Sequence, residues 1–543
     1  MLEDKNCYIN APCRRCEPDI CRYYKHSYSS EKSQDEKEKN MNEYLKNLKE
    51  DTNYTLTENG GITHRSTLNK VLDMFAMGGA MRSRSEDDII TMFKQAYEEN
   101  ATLALRCLFY LRDARMGQGE RRFFRICMKW LANEEPAEVI NLLPLISEYG
   151  RYDDIFALEG TPCEKRMFKY LYDVVSQNND HLVFKWLKSE NCSSRESKRL
   201  AYKTRIAFGM TSREYRKMLT EGRKACNIVE SLMSQQHWNQ IEFDKLPSRA
   251  GLLYKNAFMH REETKERYAA FMRNKTSKVN ASVLTPVDIA HQIFSSYFPT
   301  DVERAAWQKY WDNLKDYYDG REEPGIAVVD VSGSMYGKPL EAAVSMGAYI
   351  AERGKGPFKN HFITFSTNPQ LVEFEGVDIC DKFTRAENAD WGGSTDIEAV
   401  FDLLLKTARK HHTDQADMPQ TLYIFSDMEF NACVNTDVGY TYNYEKRARA
   451  ANEYIDTVIE AQGKKWAQYG YKLPRIIFWN LDARQENIPA IGPGFSYVSG
   501  FSMNMVEQIL SGKDGWDLCL EKLNSERYTP ITSIRVEGVK NEN

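Results

Sequence analysis

The sequence predicts an α plus α/β protein, an N-terminal helical module followed by a doubly wound parallel sheet. Three observations carry this. From about Gly60 to Tyr318, apolar residues recur at three- and four-residue spacing and strand signals are nearly absent. From Gly325 onward, short continuous apolar runs alternate with helical stretches, the text of buried parallel strands. A chain of 543 residues also exceeds what one ordinary core organises, so two or more modules are expected.

Taken in order, residues 1–54 read as a Cys-containing polar tail and linker. Cys7, Cys13, Cys16 and Cys21 crowd there with His26 nearby, and Cys13-Arg-Arg-Cys16 has the gap that lets two thiolates grip one zinc ion. These four are candidate zinc ligands; the competing reading is a tail without metal, because no second well-spaced pair follows. Residues 27–50 are polar with charges of both signs, a linker into a short solvated helix.

Residues 55–320 form the helical module. Leu68, Val71, Leu72 and Phe75 make one apolar stripe; Ile89, Ile90, Phe93, Ala96 and Tyr97 make the next. Leu103, Leu105, Leu108, Phe109 and Leu111 follow, then Val139, Leu142, Leu143 and Ile146. Breaks fall at Gly78-Gly79, Gly117-Gln118-Gly119, Gly150 and Gly160-Thr161-Pro162. Stacked helical pairs of uneven length, an α-solenoid or irregular array, give such text.

Residues 321–525 form the sheet module. Gly325-Ile-Ala-Val-Val-Asp330 is a buried strand ending in an acid; His361–Phe365, Thr421–Phe425 and Arg475–Trp479 are further such runs. Helical stretches 338–353, 396–409 and 446–468 lie between them. Residues 526–543 read as a C-terminal tail.

Composition narrows the function classes. The chain is 42% hydrophobic and 28% charged, unlike a wholly disordered protein. No run of 18 apolar residues and no apolar signal core is visible, so a soluble, cytoplasmic protein is expected. Cys107, Cys127, Cys163, Cys192, Cys226, Cys380, Cys433 and Cys519 are scattered singly, as reduced thiols are. The net charge of −5 divides into −3 for residues 1–100, +9 for 101–300 and −11 for 301–543. A basic middle and an acidic end suggest different partners for different modules.

The chemistry concentrates where the first buried strand ends. Asp330-Val-Ser332-Gly-Ser334 sets an acid and two hydroxyls at i, i+2, i+4, able to converge on one hard cation, with Gly333 permitting the tight turn. Gly392-Gly-Ser-Thr395-Asp396 precedes a helix, and Ser426-Asp427 caps the strand begun at Thr421, so both lie at the same edge of the sheet. A lone D-x-S-x-S is commonly only a turn or cap. All three segments together resemble the metal-ion-dependent adhesion site of von Willebrand factor A domains. That likeness implies that Ser332, Ser334 and Thr395 ligate Mg²⁺ or another divalent cation directly, and that Asp330 and Asp427 act through waters. It also implies one coordination position left for an acidic group of a protein partner.

The helical module has phrases of its own: Asn59-Gly-Gly-Ile-Thr63-His64, Gly78-Gly-Ala-Met-Arg82, Arg112-Asp-Ala-Arg115-Met-Gly117-Gln-Gly119-Glu-Arg121, Tyr149-Gly-Arg151-Tyr-Asp-Asp154 and Leu246-Pro-Ser-Arg249. With the A-like module they resemble the family catalogued as domain of unknown function 2828, which is itself similar to the Ro autoantigen, or TROVE, group. The likeness spans about 55 to 525. It implies HEAT-like helical repeats that form a ring closed by the A domain, and RNA binding to single-stranded ends or small structured RNA; separately, no residue pattern argues for an enzyme.

Charge adds separate support. Ten basic residues lie between Arg195 and Lys224 against three acids: Arg195, Lys198, Arg199, Lys203, Arg205, Arg213, Arg216, Lys217, Arg223 and Lys224. Tyr202, Phe208 and Tyr215 are interleaved, a composition suited to phosphate contacts and base stacking. A solvated helix surface with the aromatics turned inward is the competing reading. Arg121, Arg122 and His64 are further RNA candidates, with Arg82, Arg115, Arg151 and Arg249 beside them. No phosphate-cradling loop or nucleophile elbow is present, His411-His412 read as a solvent-facing helix end, and Glu429 stands near enough to Asp427 to tune a metal site. The alternative function is a protein-interaction scaffold acting through the adhesion site without RNA.

Overall fold

A computed structural model describes residues 52–177, 180–226, 228–365, 368–387, 395–431 and 456–535. The four N-terminal cysteines, Gly392–Ser394, Cys433 and the first part of the expected 446–468 helix lie outside these residues. Thr55–Asn543 forms one compact unit. No helix among the described residues is long and apolar enough to cross a membrane.

The α plus α/β architecture is as the sequence predicts. Helices fill the first half, beginning with Lys70–Met77, Glu86–Glu99, Ala101–Arg112, Arg122–Glu134 and Pro136–Tyr149. Their starts are written locally. Asn69, Ser85 and Asn100 each accept a backbone N–H of the first turn, at 2.8, 3.1 and 2.9 Å. Leu68 is not part of the first stripe: it precedes the helix at φ 66° and is exposed. The sequence also misses a two-stranded ladder at the start of the module, β1 (Tyr54–Leu56) with β2 (Ile62–His64).

The second half holds a six-stranded sheet. Its strands are β3 (Gly325–Asp330), β4 (His361–Phe365), β5 (Gln370–Glu373), β6 (Thr421–Ser426), β7 (Arg475–Asn480) and β8 (Phe495–Ser499), in the order β5-β4-β3-β6-β7-β8. All neighbours are parallel except β5, which runs antiparallel on the edge beyond β4. The chain winds outward from β3 in one direction and from β6 in the other, so right-handed crossovers send its helices to opposite faces. The order reverses between β3 and β6, and a crevice opens beyond the strand ends at such a switch point. Lys338–Arg353, the first crossover helix, lies so close to β3 that a Cβ on Gly347 would stand 2.4 Å from a methyl of Val329.

The helical module meets the sheet module at both of its ends. Lys70–Met77 packs on β8, and Pro286–Phe294 packs on Lys338–Arg353. Residues 526–535 are not a solvent tail: Tyr528 and Ile531 are fully buried against the first helices. Of the single cysteines, Cys107, Cys127, Cys163, Cys380 and Cys519 are buried thiols, whereas Cys192 and Cys226 are partly exposed.

Candidate metal centre

The switch point brings the acids and hydroxyls together. β3 and β6 are paired in parallel, with Val329 beside Phe425, so the residues that follow, Asp330 and Ser426, emerge side by side. The Ser426 hydroxyl donates to Asp330 Oδ2 at 2.6 Å, and the Ser332 amide donates to Asp330 Oδ1 at 2.9 Å. A 3₁₀ turn, Gly333–Met335, then folds Ser334 back until its Oγ stands 3.0 Å from that of Ser332. Asp427 accepts the Glu429 amide on Oδ1 at 3.1 Å and Arg484 Nη2 on Oδ2 at 2.8 Å. Thr395 is tied to this edge through its carbonyl, which accepts Asn431 N–H at 3.0 Å. Asp330, Ser332, Thr395 and Asp427 are all buried; Ser334 is half-buried.

Two of the carboxyls hold their charge reluctantly. Burial, then the neighbouring Asp427, pushes Asp330 up to about 7. Burial also pushes Glu429 up to about 7, with Asp427 and Glu58 adding repulsion. A divalent cation would relieve both. The donors at this edge are carboxylate and hydroxyl oxygens, which suit a hard ion that keeps several waters. Among the described residues no three His, Cys, Asp or Glu side chains are grouped to hold a metal, so the fit depends on the hydroxyls.

Sequence reasoning missed half of this neighbourhood. Arg484 pairs with both Asp427 and Glu58, at 2.8 and 2.9 Å. Asn487 Nδ2 donates to Glu429 Oε1 at 2.8 Å, and Asn59 Nδ2 lies 3.3 Å from Thr395 Oγ1. For Arg484 a signal existed: Leu481-Asp-Ala-Arg484 follows the apolar run of β7 and must emerge at the same sheet edge. Asn59 stood in a distinctive phrase, but nothing tied it to this edge, since it is 336 positions from its partner.

The RNA candidates divide by environment. On helices Arg195–Ala207 and Ser212–Ala225, Arg195, Lys198, Arg213 and Lys224 are exposed and make no ion pair among the described residues. Arg199 pairs with Glu159; Lys203 holds Glu159 and Glu164 at 2.5 and 3.2 Å; Arg205 holds Glu190 at 2.8 Å. Arg216 donates to the Ser212 carbonyl at 3.1 Å, and Lys217 lies 3.8 Å from Glu221. Arg223 spends its guanidinium on the carbonyls of Phe184 and Leu187 and the hydroxyl of Ser189. Tyr215 and Phe208 are buried and cannot stack on a base, because the helix pair uses them as core; Tyr202 is 55% exposed.

His64 is no surface contact. It is buried, its backbone exchanges hydrogen bonds with Ile488, and its ring lies 3.3 Å from Glu460. Arg121 pairs with Asp153 at 3.1 Å, and Arg122 is half-buried. Arg82 holds Glu120 at 3.0 Å, Arg115 donates to the Glu148 carbonyl, Arg151 lies over the Trp186 ring, and Arg249 is 3.5 Å from Asp288.

Comparison with known proteins divides the chain at the same place. Residues 57–175 and 183–322 match the family model described as domain of unknown function DUF2828, and residues 324–531 match the one described as domain of unknown function DUF7788. Uncharacterized protein L728 of Acanthamoeba polyphaga mimivirus is 28% identical over 511 residues, 85% of each chain. Among solved structures, the Ro (RSR) protein of Deinococcus radiodurans aligns over 84% of this chain and 99% of its own, at 12% identity and a TM-score of 0.35. The helical module is thus similar to the DUF2828 family and the sheet module to the DUF7788 domain.

Proposed function

We propose that this protein binds RNA in a Ro-like manner and does no chemistry on it, with the sheet module holding Mg²⁺ or a similar divalent cation. One observation carries the RNA reading. The helix pair 195–225 offers Arg195, Lys198, Arg213 and Lys224 to solvent, and Tyr202, one turn on from Lys198, lines a groove with Tyr172, Lys165 and Lys169, the last of these paired with Asp173. Unpaired cations suit phosphates and a half-exposed aromatic suits a base, the combination that tracks single strands. In the sheet module Asp330, Ser332, Ser334, Thr395 and Asp427 would hold the cation, whose charge would offset the crowded carboxylates.

The test is a salt titration. A labelled RNA with a structured body and a single-stranded 3′ end is bound by wild type, by Lys198→Glu with Arg213→Glu, and by Tyr202→Ala. Each lost phosphate contact should lower the slope of log K against log salt by about 0.7. Tyr202→Ala should cost about 1–3 kcal/mol at every salt concentration. Binding that ignores salt and all three substitutions would move the function away from this face.

A further inference from the structure

The metal edge has a neighbour from the other end of the sequence. Residues 57–61, the turn between β1 and β2, lie against the loop after β6. Thr57 Oγ1 donates to the Phe430 carbonyl at 2.6 Å, and the Glu58 amide donates to Glu429 Oε2 at 2.6 Å. Asn59 Nδ2 donates to the Glu429 carbonyl at 2.5 Å and to Thr395 Oγ1 at 3.3 Å. Gly60 bridges Asn431, and a Cβ on Gly61 would stand 2.5 Å from the Phe430 oxygen, so the backbone itself is in contact. Asn431 in turn binds the Thr395 carbonyl.

We propose that this turn is a positioning latch for the cation site, which makes cation affinity and docking of the first strands one coupled equilibrium. Asn59 holds the hydroxyl of Thr395 through its side-chain amide. Glu58 acts through Arg484. That guanidinium is shared between Glu58 Oε2 and Asp427 Oδ2. With Glu58 present, part of its charge is drawn off Asp427; with Glu58 neutral, Arg484 leans wholly on Asp427 and competes with a divalent ion for it. Linkage then requires the reverse effect: a bound cation, by ordering Thr395 and Asp427, must hold the turn in place by the same factor. An acidic group from a protein partner would have to approach an edge already partly covered by the chain's own Glu58 and Asn59.

The proposal rests on the cation reading, and the experiment separates the two. Mn²⁺ binding to the full chain is measured by calorimetry for wild type, Asn59→Ala, Glu58→Gln and Asp330→Asn, and hydrogen exchange of residues 55–64 is followed in wild type with and without Mn²⁺. Expected are roughly tenfold weaker Mn²⁺ binding in the Asn59 and Glu58 variants, loss in Asp330→Asn, and slower exchange of 55–64 in wild type when Mn²⁺ is added. Unaltered affinity in both turn variants, or exchange that ignores Mn²⁺, overturns the latch while leaving the cation site standing. If wild type binds no Mn²⁺, the cation site falls and the latch with it. Thermal midpoints in EDTA, expected to stay close to wild type for Glu58→Gln, exclude misfolding as the cause.

Discussion

At the scale of single residues, one buried acid of the helical module gathers several arginines around it. Asp154 is fully buried and accepts two bonds from Arg112, at 2.8 and 2.6 Å, one from Arg125 at 2.6 Å, and the Arg151 amide at 3.0 Å. Burial alone would raise its pKa, but Arg112 and Arg125 outweigh burial and hold it below the ordinary carboxylate range. A depressed carboxylate contributes stability that is present above its unfolded value, near 4, and is lost as pH falls through the lower folded value. Asp154→Ala should cost about 3–5 kcal/mol in urea unfolding at neutral pH, because it strands Arg112 in the core. The difference from wild type should shrink below about pH 4. An unchanged midpoint would mean that the arginines reach water instead. These pairings were illegible beforehand. Tyr149-Gly-Arg-Tyr-Asp-Asp stood out as a phrase, yet adjacency could not say that Asp154 would meet Arg112, 42 positions earlier. Asp330-x-Ser-x-Ser was legible for the opposite reason, since its partners are two residues apart at the end of an unmistakable strand.

At the scale of elements, what could be read followed burial. β3, β4, β6 and β7 are sealed on both faces and so appear as unbroken apolar runs. β5 is an edge strand with one buried residue, Val372, and its text, Gln-Leu-Val-Glu, carries little signal. β8 is nearly as buried as the centre, but Phe-Ser-Tyr-Val-Ser alternates, because Ser496 and Ser499 spend their hydroxyls on Asp514 and the Phe75 carbonyl. That last contact marks where the helical module meets the sheet. Gly78-Gly79 looked like a mere helix break. In the fold Gly79 donates to Ser499 Oγ at 2.9 Å, and a Cβ there would stand 2.7 Å from the Ser499 carbonyl oxygen. Gly79→Ala should therefore destabilise by about 1–3 kcal/mol in chemical unfolding, despite the smaller entropy of the unfolded alanine chain. Equal or greater stability would show that the helix end has room to move off β8.

At the scale of the whole molecule, the two modules were legible as changes of text, but their union was not. The sequence marks Gly325 as a beginning and leaves the last residues as a tail; the fold returns residues 526–535 to the first helices. Arg527 Nε donates to Asp113 at 2.8 Å, Tyr528 Oη to the same carboxylate at 3.2 Å, and Arg106 to the Ile531 carbonyl at 3.0 Å. The Tyr528 ring stacks on Tyr149 at 5.8 Å and meets Tyr110 edge-on at 5.9 Å. Tyr528 and Ile531 together remove a large apolar area from water, worth about 1.5–3 kcal/mol each. Tyr528→Ala should accordingly cost about 3–5 kcal/mol once the cavity it leaves is included. A chain stopped after Ser525 should lose more, and the loss has an address. Hydrogen exchange should accelerate first in Ala101–Arg112 and Pro136–Tyr149, the helices the segment covers, while β3 and β6 stay protected. Equal acceleration in sheet and helices would mean that the strap supports one indivisible core. Protection unchanged everywhere would mean that the helices hold themselves, and that the C-terminal segment rests on them without supporting them.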